Sequence, residues 1–282
     1  MITAADILDF LFVILPIASL THLAFRIGLA YGRSKGSTTL FAGASILTFS
    51  YLFKLYFDIV FGSVDAFWLF LLTLGTAIGL VLALIGTNRI YSFLRSNQAD
   101  LNHKSTKIAR ISEFIAVIFL IVFVPYFLGF NRPIYWRLGA VSYLVRQAAL
   151  FGIVIYIGEF FHLLGKSQVY WKSKLVRGLA VYYLAEPAVW LTVAGIGGGV
   201  ALYPTARVFV NTFGLAISVI VSLLVVRFIR LYLPTVLRQV KTTYVDTLRV
   251  RVLRDLYLIG AGLTVFIFVI LLVAESLYGD LR

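Results

Sequence analysis

Eight stretches of about twenty or more apolar residues fill most of the chain, over 7–30, 39–62, 66–87, 111–130, 139–165, 176–202, 207–233 and 256–278. A bilayer core is crossed by roughly 20 residues in helical form. Backbone that meets lipid must satisfy its own hydrogen bonds, and a helix does this within one segment. The pattern therefore predicts an all-α integral membrane protein with about eight transmembrane helices. No connection between the runs is long enough for a second folded domain, so 1–282 reads as a single transmembrane domain. Composition agrees: 61% of residues are hydrophobic and 13% charged, with a mean hydropathy of +0.97. A soluble domain has roughly 45–50% apolar and about 25% charged residues.

The formal net charge of +13 is not spread evenly. Lysine and arginine gather in alternate connections. Arg33 and Lys35 follow the first run. Arg89, Arg95, Lys104, Lys107 and Arg110 follow the third. Lys166, Lys172, Lys174 and Arg177 follow the fifth, and Arg238, Lys241, Arg249, Arg251 and Arg254 the seventh. The connections between are poor in them. Positive charge marks the cytoplasmic side, which predicts a cell-membrane protein with both termini on the outer side. The basic loops are expected to meet anionic lipid headgroups rather than nucleic acid. The first residues, MITAADILDF, lack the basic start of a cleavable signal, so the first run is read as a retained helix.

His22 and His162 stand 140 residues apart in a chain of 282. A shift of that size lays the first four runs near the last four and superposes the two long basic connections. Two parallel four-helix repeats are expected on this ground, with halves 1–138 and 139–282. Their pseudo-twofold axis would lie along the membrane normal.

The chain has no cysteine, and Met1 is its one methionine. Thiolate metal sites, disulfides and cysteine nucleophiles are excluded. No phosphate loop, nucleophile elbow or zincin motif occurs. No catalytic or metal-ligating residue is assigned, and enzymatic activity is left open. Ionisable groups in a bilayer usually face the bundle interior or water. His22 and His162 fall at similar depth, where they could hold a b-type haem or a quinone. The plainer reading makes them interfacial residues with helical hydrogen bonds. Glu159, on the His162 face, and Glu186, beside Pro187 in mid-run, are candidate proton or polar relays. Lys54, Asp58 and Arg146 are expected to form a buried ion-pair cluster. Small-residue spacings at Gly28/Gly32, Gly75/Gly79 and Gly195/Gly199 predict close helix contacts.

Two functions follow as expectations. One is a polytopic membrane subunit of a larger respiratory or electron-transfer complex, an anchor that holds haem b or quinone and depends on other subunits. The alternative is a secondary transporter or channel for a small solute or ion.

Overall fold

The computed structural model describes residues 4–31, 36–61, 66–96, 107–118, 134–163, 167–187 and 199–234. These residues are almost entirely helical and contain no strand. The helices are α1 (Ala4–Tyr31), α2 (Ser37–Phe61), α3 (Ala66–Ser96), α4 (107–118), α5 (Ile134–His162), α6 (Ser167–Ala180), α7 (182–187) and α8 (Gly199–Leu231). Among the described residues three segments are long and apolar enough to cross a membrane: Trp68–Arg95 in α3, Tyr143–His162 in α5 and Thr212–Leu231 in α8. Leu11–Ile27 in α1 is a shorter apolar segment. The expected run 256–278 lies outside the described residues, as do Gly32 and Gly195.

α2 and α3 form an antiparallel pair whose backbones nearly touch. A methyl group added to Gly43 would sit 2.6 Å from the Ala83 amide nitrogen and 2.7 Å from the Gly79 carbonyl oxygen. One on Gly79 would sit 2.8 Å from both the Gly43 oxygen and the Leu47 nitrogen, and one on Gly86 2.6 Å from the Leu40 nitrogen. Helices in lipid gain little from hiding apolar surface, so close backbone approach over small residues holds them together. Gly75 and Gly79 do pack at this seam as their spacing predicts; Gly43 and Gly86 complete it. The pair begins at Gly36, whose φ of +156° favours glycine, with Arg89 Cβ 2.8 Å from where a side chain would start.

α5 is the central helix. Of its apolar segment 83% is buried in the bundle, against 39% for those of α3 and α8. It packs against α3, α6 and α8, while α1 packs against α8, α2 and α3. α4 is tied on both sides. Asn88 of α3 donates to Glu113 at 2.6 Å, and Ser112 donates to the Ala148 carbonyl of α5. Outward faces carry large apolar side chains such as Phe49, Phe53, Phe114 and Leu223.

α1 contains Pro16. Proline lacks the N–H that would bond the carbonyl four residues earlier, and here that carbonyl belongs to Phe12. Ser218 of α8 supplies the missing donor, its hydroxyl 2.7 Å from the Phe12 oxygen. The bond joins α1 to α8 at the position where proline leaves the backbone open.

Two boundaries differ from expectation. Helix begins at Ser167, nine residues before the predicted run, because α6 is amphipathic and its charges hide it from a hydropathy reading. The next described helix begins at Gly199, so 203–206, expected as a connection, are helical.

Candidate functional site: two buried ion pairs along the central helix

α5 carries Tyr143 and Arg146 one turn apart, and Gln147 one turn from Tyr143. α7 carries Tyr182, Tyr183 and Glu186 on the opposing side. Arg146 donates through Nη2 to Glu186 Oε1 at 3.2 Å. The carboxylate side chain is 2% exposed and the guanidinium 15%. The guanidinium also lies 5.1 Å from the Tyr143 ring centre and 5.5 Å from that of Phe12. Both are within cation–π range.

Four elements converge here. Phe12 of α1 stacks on Tyr183 at 5.6 Å and meets Tyr182 edge-on at 6.4 Å. The Tyr182 hydroxyl donates to the Val210 carbonyl of α8 at 2.7 Å. Gly214 of α8 leaves room for the Phe12 ring, which lies 2.9 Å from where its Cβ would stand. Polar atoms gather in this setting. Gln147 is 4% exposed, and neither its amide nitrogen nor its amide oxygen has a partner. The Tyr143 hydroxyl lies within reach of Glu186 and Gln147, and the Tyr183 hydroxyl is buried beside Ser218. An unmade bond at a buried polar group costs about 1–3 kcal/mol, so such atoms usually have a water, ion or ligand to explain them.

A second pair lies thirteen residues further along α5, about 20 Å at the helical rise. Glu159, fully buried, meets Arg177 of α6 at 3.6 Å. Arg177 also donates to its own helix, at 2.6 Å to the Ser173 hydroxyl and 3.3 Å to the Ser173 carbonyl. Gly158 makes this possible, since a Cβ there would stand 2.9 Å from Arg177 Cγ. Tyr91 of α3 packs on Tyr156 and Phe160 beside it, with ring centres at 5.7 and 6.1 Å.

The residues singled out from sequence fall as follows. Arg146 and Glu186, expected in separate roles, meet one another. Glu159 is buried and paired with Arg177. His162 is half-buried at the end of α5, one turn beyond Glu159. His22 is exposed on α1 beside the Phe25 ring, at 6.4 Å. Lys54 is exposed on α2, and the side chain of Asp58 lies outside the described residues, as does all of Trp190. Sequence reading missed Tyr143, Gln147 and Phe12. The signal for the first two was helical spacing from Arg146; for Phe12 it was the proline four residues on. Among the described residues no three His, Asp or Glu side chains converge as a metal site.

No protein-family model matches this sequence, and no curated protein or solved structure matches it.

Proposed function

We propose that this chain is a polytopic transporter that passes a small polar solute or ion through the cluster around Arg146 and Glu186. The buried amide of Gln147, with the Tyr143 hydroxyl beside that pair, carries the reading. Gathered against an arginine and a glutamate in an apolar bundle, these polar groups suit a polar occupant that comes and goes.

The architecture proposed with it has eight spans in the cell membrane, both termini outside, in two tandem four-helix halves. Helix packing supports the repeat. Exchanging α1 with α5, α2 with α6 and α3 with α8 turns three contacts into others that are observed, α1–α2 into α5–α6, α3–α5 into α8–α1, and α1–α3 into α5–α8, whereas the close α2–α3 pairing has no comparable α6–α8 counterpart among the described residues. Transporters built from such parallel repeats bind substrate between the halves, and Phe12 of one half meets Arg146 of the other at the cluster.

The test is reconstitution into liposomes holding a pH-sensitive dye. Internal pH and solute uptake are followed for a panel of small carboxylates, amino acids and alkali cations. At least one should move faster than in empty liposomes, and Glu186→Gln or Arg146→Gln should abolish the difference. No transport of any panel member by folded wild type would overturn the proposal.

The respiratory-subunit reading has one favourable observation, a half-buried His162 one turn from the Glu159–Arg177 pair. Its measurement is a reduced-minus-oxidised visible spectrum of the mildly purified protein. A b-type band lost in His162→Ala would replace the transport reading with that one.

A further inference from the structure

We propose that Lys172 binds the phosphate of an anionic phospholipid headgroup where α5, α6 and α8 meet at one face of the bundle. The inference is independent of the transport site.

Lys172 is 6% exposed. Its ammonium donates to the Tyr232 hydroxyl at 3.1 Å and lies 5.3 Å from the Tyr232 ring centre and 5.6 Å from that of Trp171. Those are neutral partners. No carboxylate among the described residues pairs with it. The partly buried arginines Arg146 and Arg177 both have acidic partners, whereas the more deeply buried Lys172 has none among the described residues. An ammonium has three N–H donors and one is used here. A buried cation without a counter-ion is unfavourable, and an arriving anion relieves it.

The position says which anion. α5 ends at His162, α6 begins at Ser167 and α8 ends at Leu231. Phe161 and Tyr232 touch across this level, ring centres 6.4 Å apart. Three helix ends at one height mark the edge of the apolar layer. Trp171, 57% exposed, sits at the same height, where indole rings prefer the headgroup region. Beyond it α6, the turn at Val181 and α7 expose the apolar side chains Leu175, Val181 and Leu184. That face suits acyl chains, and Lys172 and Trp171 stand where the attached phosphate would lie. Exposed Lys174 of α6 and Arg227 and Arg230 of α8 add positive charge nearby. The Lys172 stem is flexible enough to bring its charge to a phosphate oxygen while its methylenes stay against the rings.

The experiment reads Trp171 fluorescence in bilayers. A variant with Trp68, Trp136 and Trp190 replaced by phenylalanine keeps Trp171 alone. It is reconstituted in phosphatidylcholine containing either brominated phosphatidylglycerol or brominated phosphatidylcholine, and quenching is compared at equal bromolipid. A single basic site at the membrane surface is expected to enrich the anionic lipid about fivefold. Lys172→Gln should equalise the two lipids, and Lys172→Arg should keep the preference. Equal quenching in the Lys172 parent would overturn the proposal without need of a Lys172 variant. So would an unchanged preference in folded Lys172→Gln. Loss of the preference on adding inorganic phosphate, but not equimolar chloride, would assign the site to free phosphate and overturn the lipid. If the phenylalanine background does not fold, wild type and Lys172→Gln are compared directly, and an identical preference in both overturns the proposal.

Discussion

The clearest quantitative prediction concerns the Phe12 carbonyl. Pro16 removes its helical donor and Ser218 replaces it from another helix at 2.7 Å, with Ser218 itself fully buried. Ser218→Ala removes one oxygen and leaves that carbonyl open in the bundle. An orphaned buried acceptor costs about 1–3 kcal/mol. Hydrogen bonds between helices in a membrane average about 0.6 kcal/mol, with a maximum near 1.7. The two ranges overlap between about 1 and 1.7 kcal/mol, which is the expected loss. Pro16→Ala restores an N–H at position 16, so the carbonyl no longer needs Ser218. In that background Ser218→Ala should cost no more than about 0.5 kcal/mol, and the cycle of four proteins should show coupling of about 1 kcal/mol. The assay is reversible unfolding in mixed micelles or by steric trapping. The cycle isolates the carbonyl, because any change in helix bend caused by Pro16→Ala appears in both arms and cancels. Equal costs of Ser218→Ala in the two backgrounds would refute the argument, and so would no cost in either.

The Arg146–Glu186 pair should respond unequally to loss of either side. Glu186→Gln leaves a permanently charged guanidinium at 15% exposure and should cost about 3–5 kcal/mol; Arg146→Met leaves a carboxylate that can take up a proton and should cost less in the same unfolding assay. Gly79→Leu must push α2 off α3, since its first carbon already lies 2.8 Å from backbone on the other helix; a loss of about 1–3 kcal/mol or more is expected. Gly36→Ala combines φ of +156° with the close Arg89 and Gly86 atoms and should lower stability by about 1–3 kcal/mol, whereas Gly178→Ala, with open space at its Cβ, should be neutral or stabilising.

The helical, membrane character of this chain is legible because it depends on a local property, the length of an apolar run. Gly75 and Gly79 are legible for a related reason: a four-residue spacing of small side chains can pack closely whatever lies opposite. Other features depend on what comes from elsewhere in the chain. Arg146 and Glu186 each stand out as charges in apolar surroundings, but forty residues separate them and nothing local joins them. Lys54 and Asp58 offered Arg146 partners at the same expected depth in the membrane, and Lys54 is exposed. α6 begins before its apolar run because helix formation tolerates Lys172, Lys174 and Arg177 on one stretch where a hydropathy window does not. Pro16 is visible and implies an open carbonyl at Phe12; that Ser218 fills it belongs to the tertiary fold.

The two ion pairs along α5 say more together than apart. α5 contributes the cation at one level, Arg146, and the acid at the other, Glu159. α6 and α7 contribute the complement, Arg177 and Glu186. Reversing the direction of one partner would set arginine against arginine and glutamate against glutamate. Sliding it by one turn, about 5.4 Å, would break both contacts. The pairs therefore fix the antiparallel direction and the register. They are not rigidly joined to each other, however. Between Arg177 and Glu186 the helix is interrupted at Val181, whose N–H turns to the Gly178 carbonyl at 3.1 Å. Arg177 is further held by Ser173 within its own helix and by its stem across Gly158. A cycle that opens Arg146 from Glu186 to admit a polar solute need not disturb Glu159. In the proposed transport cycle the interruption at Val181 would separate the pair that opens, Arg146–Glu186, from the pair that stays closed, Glu159–Arg177.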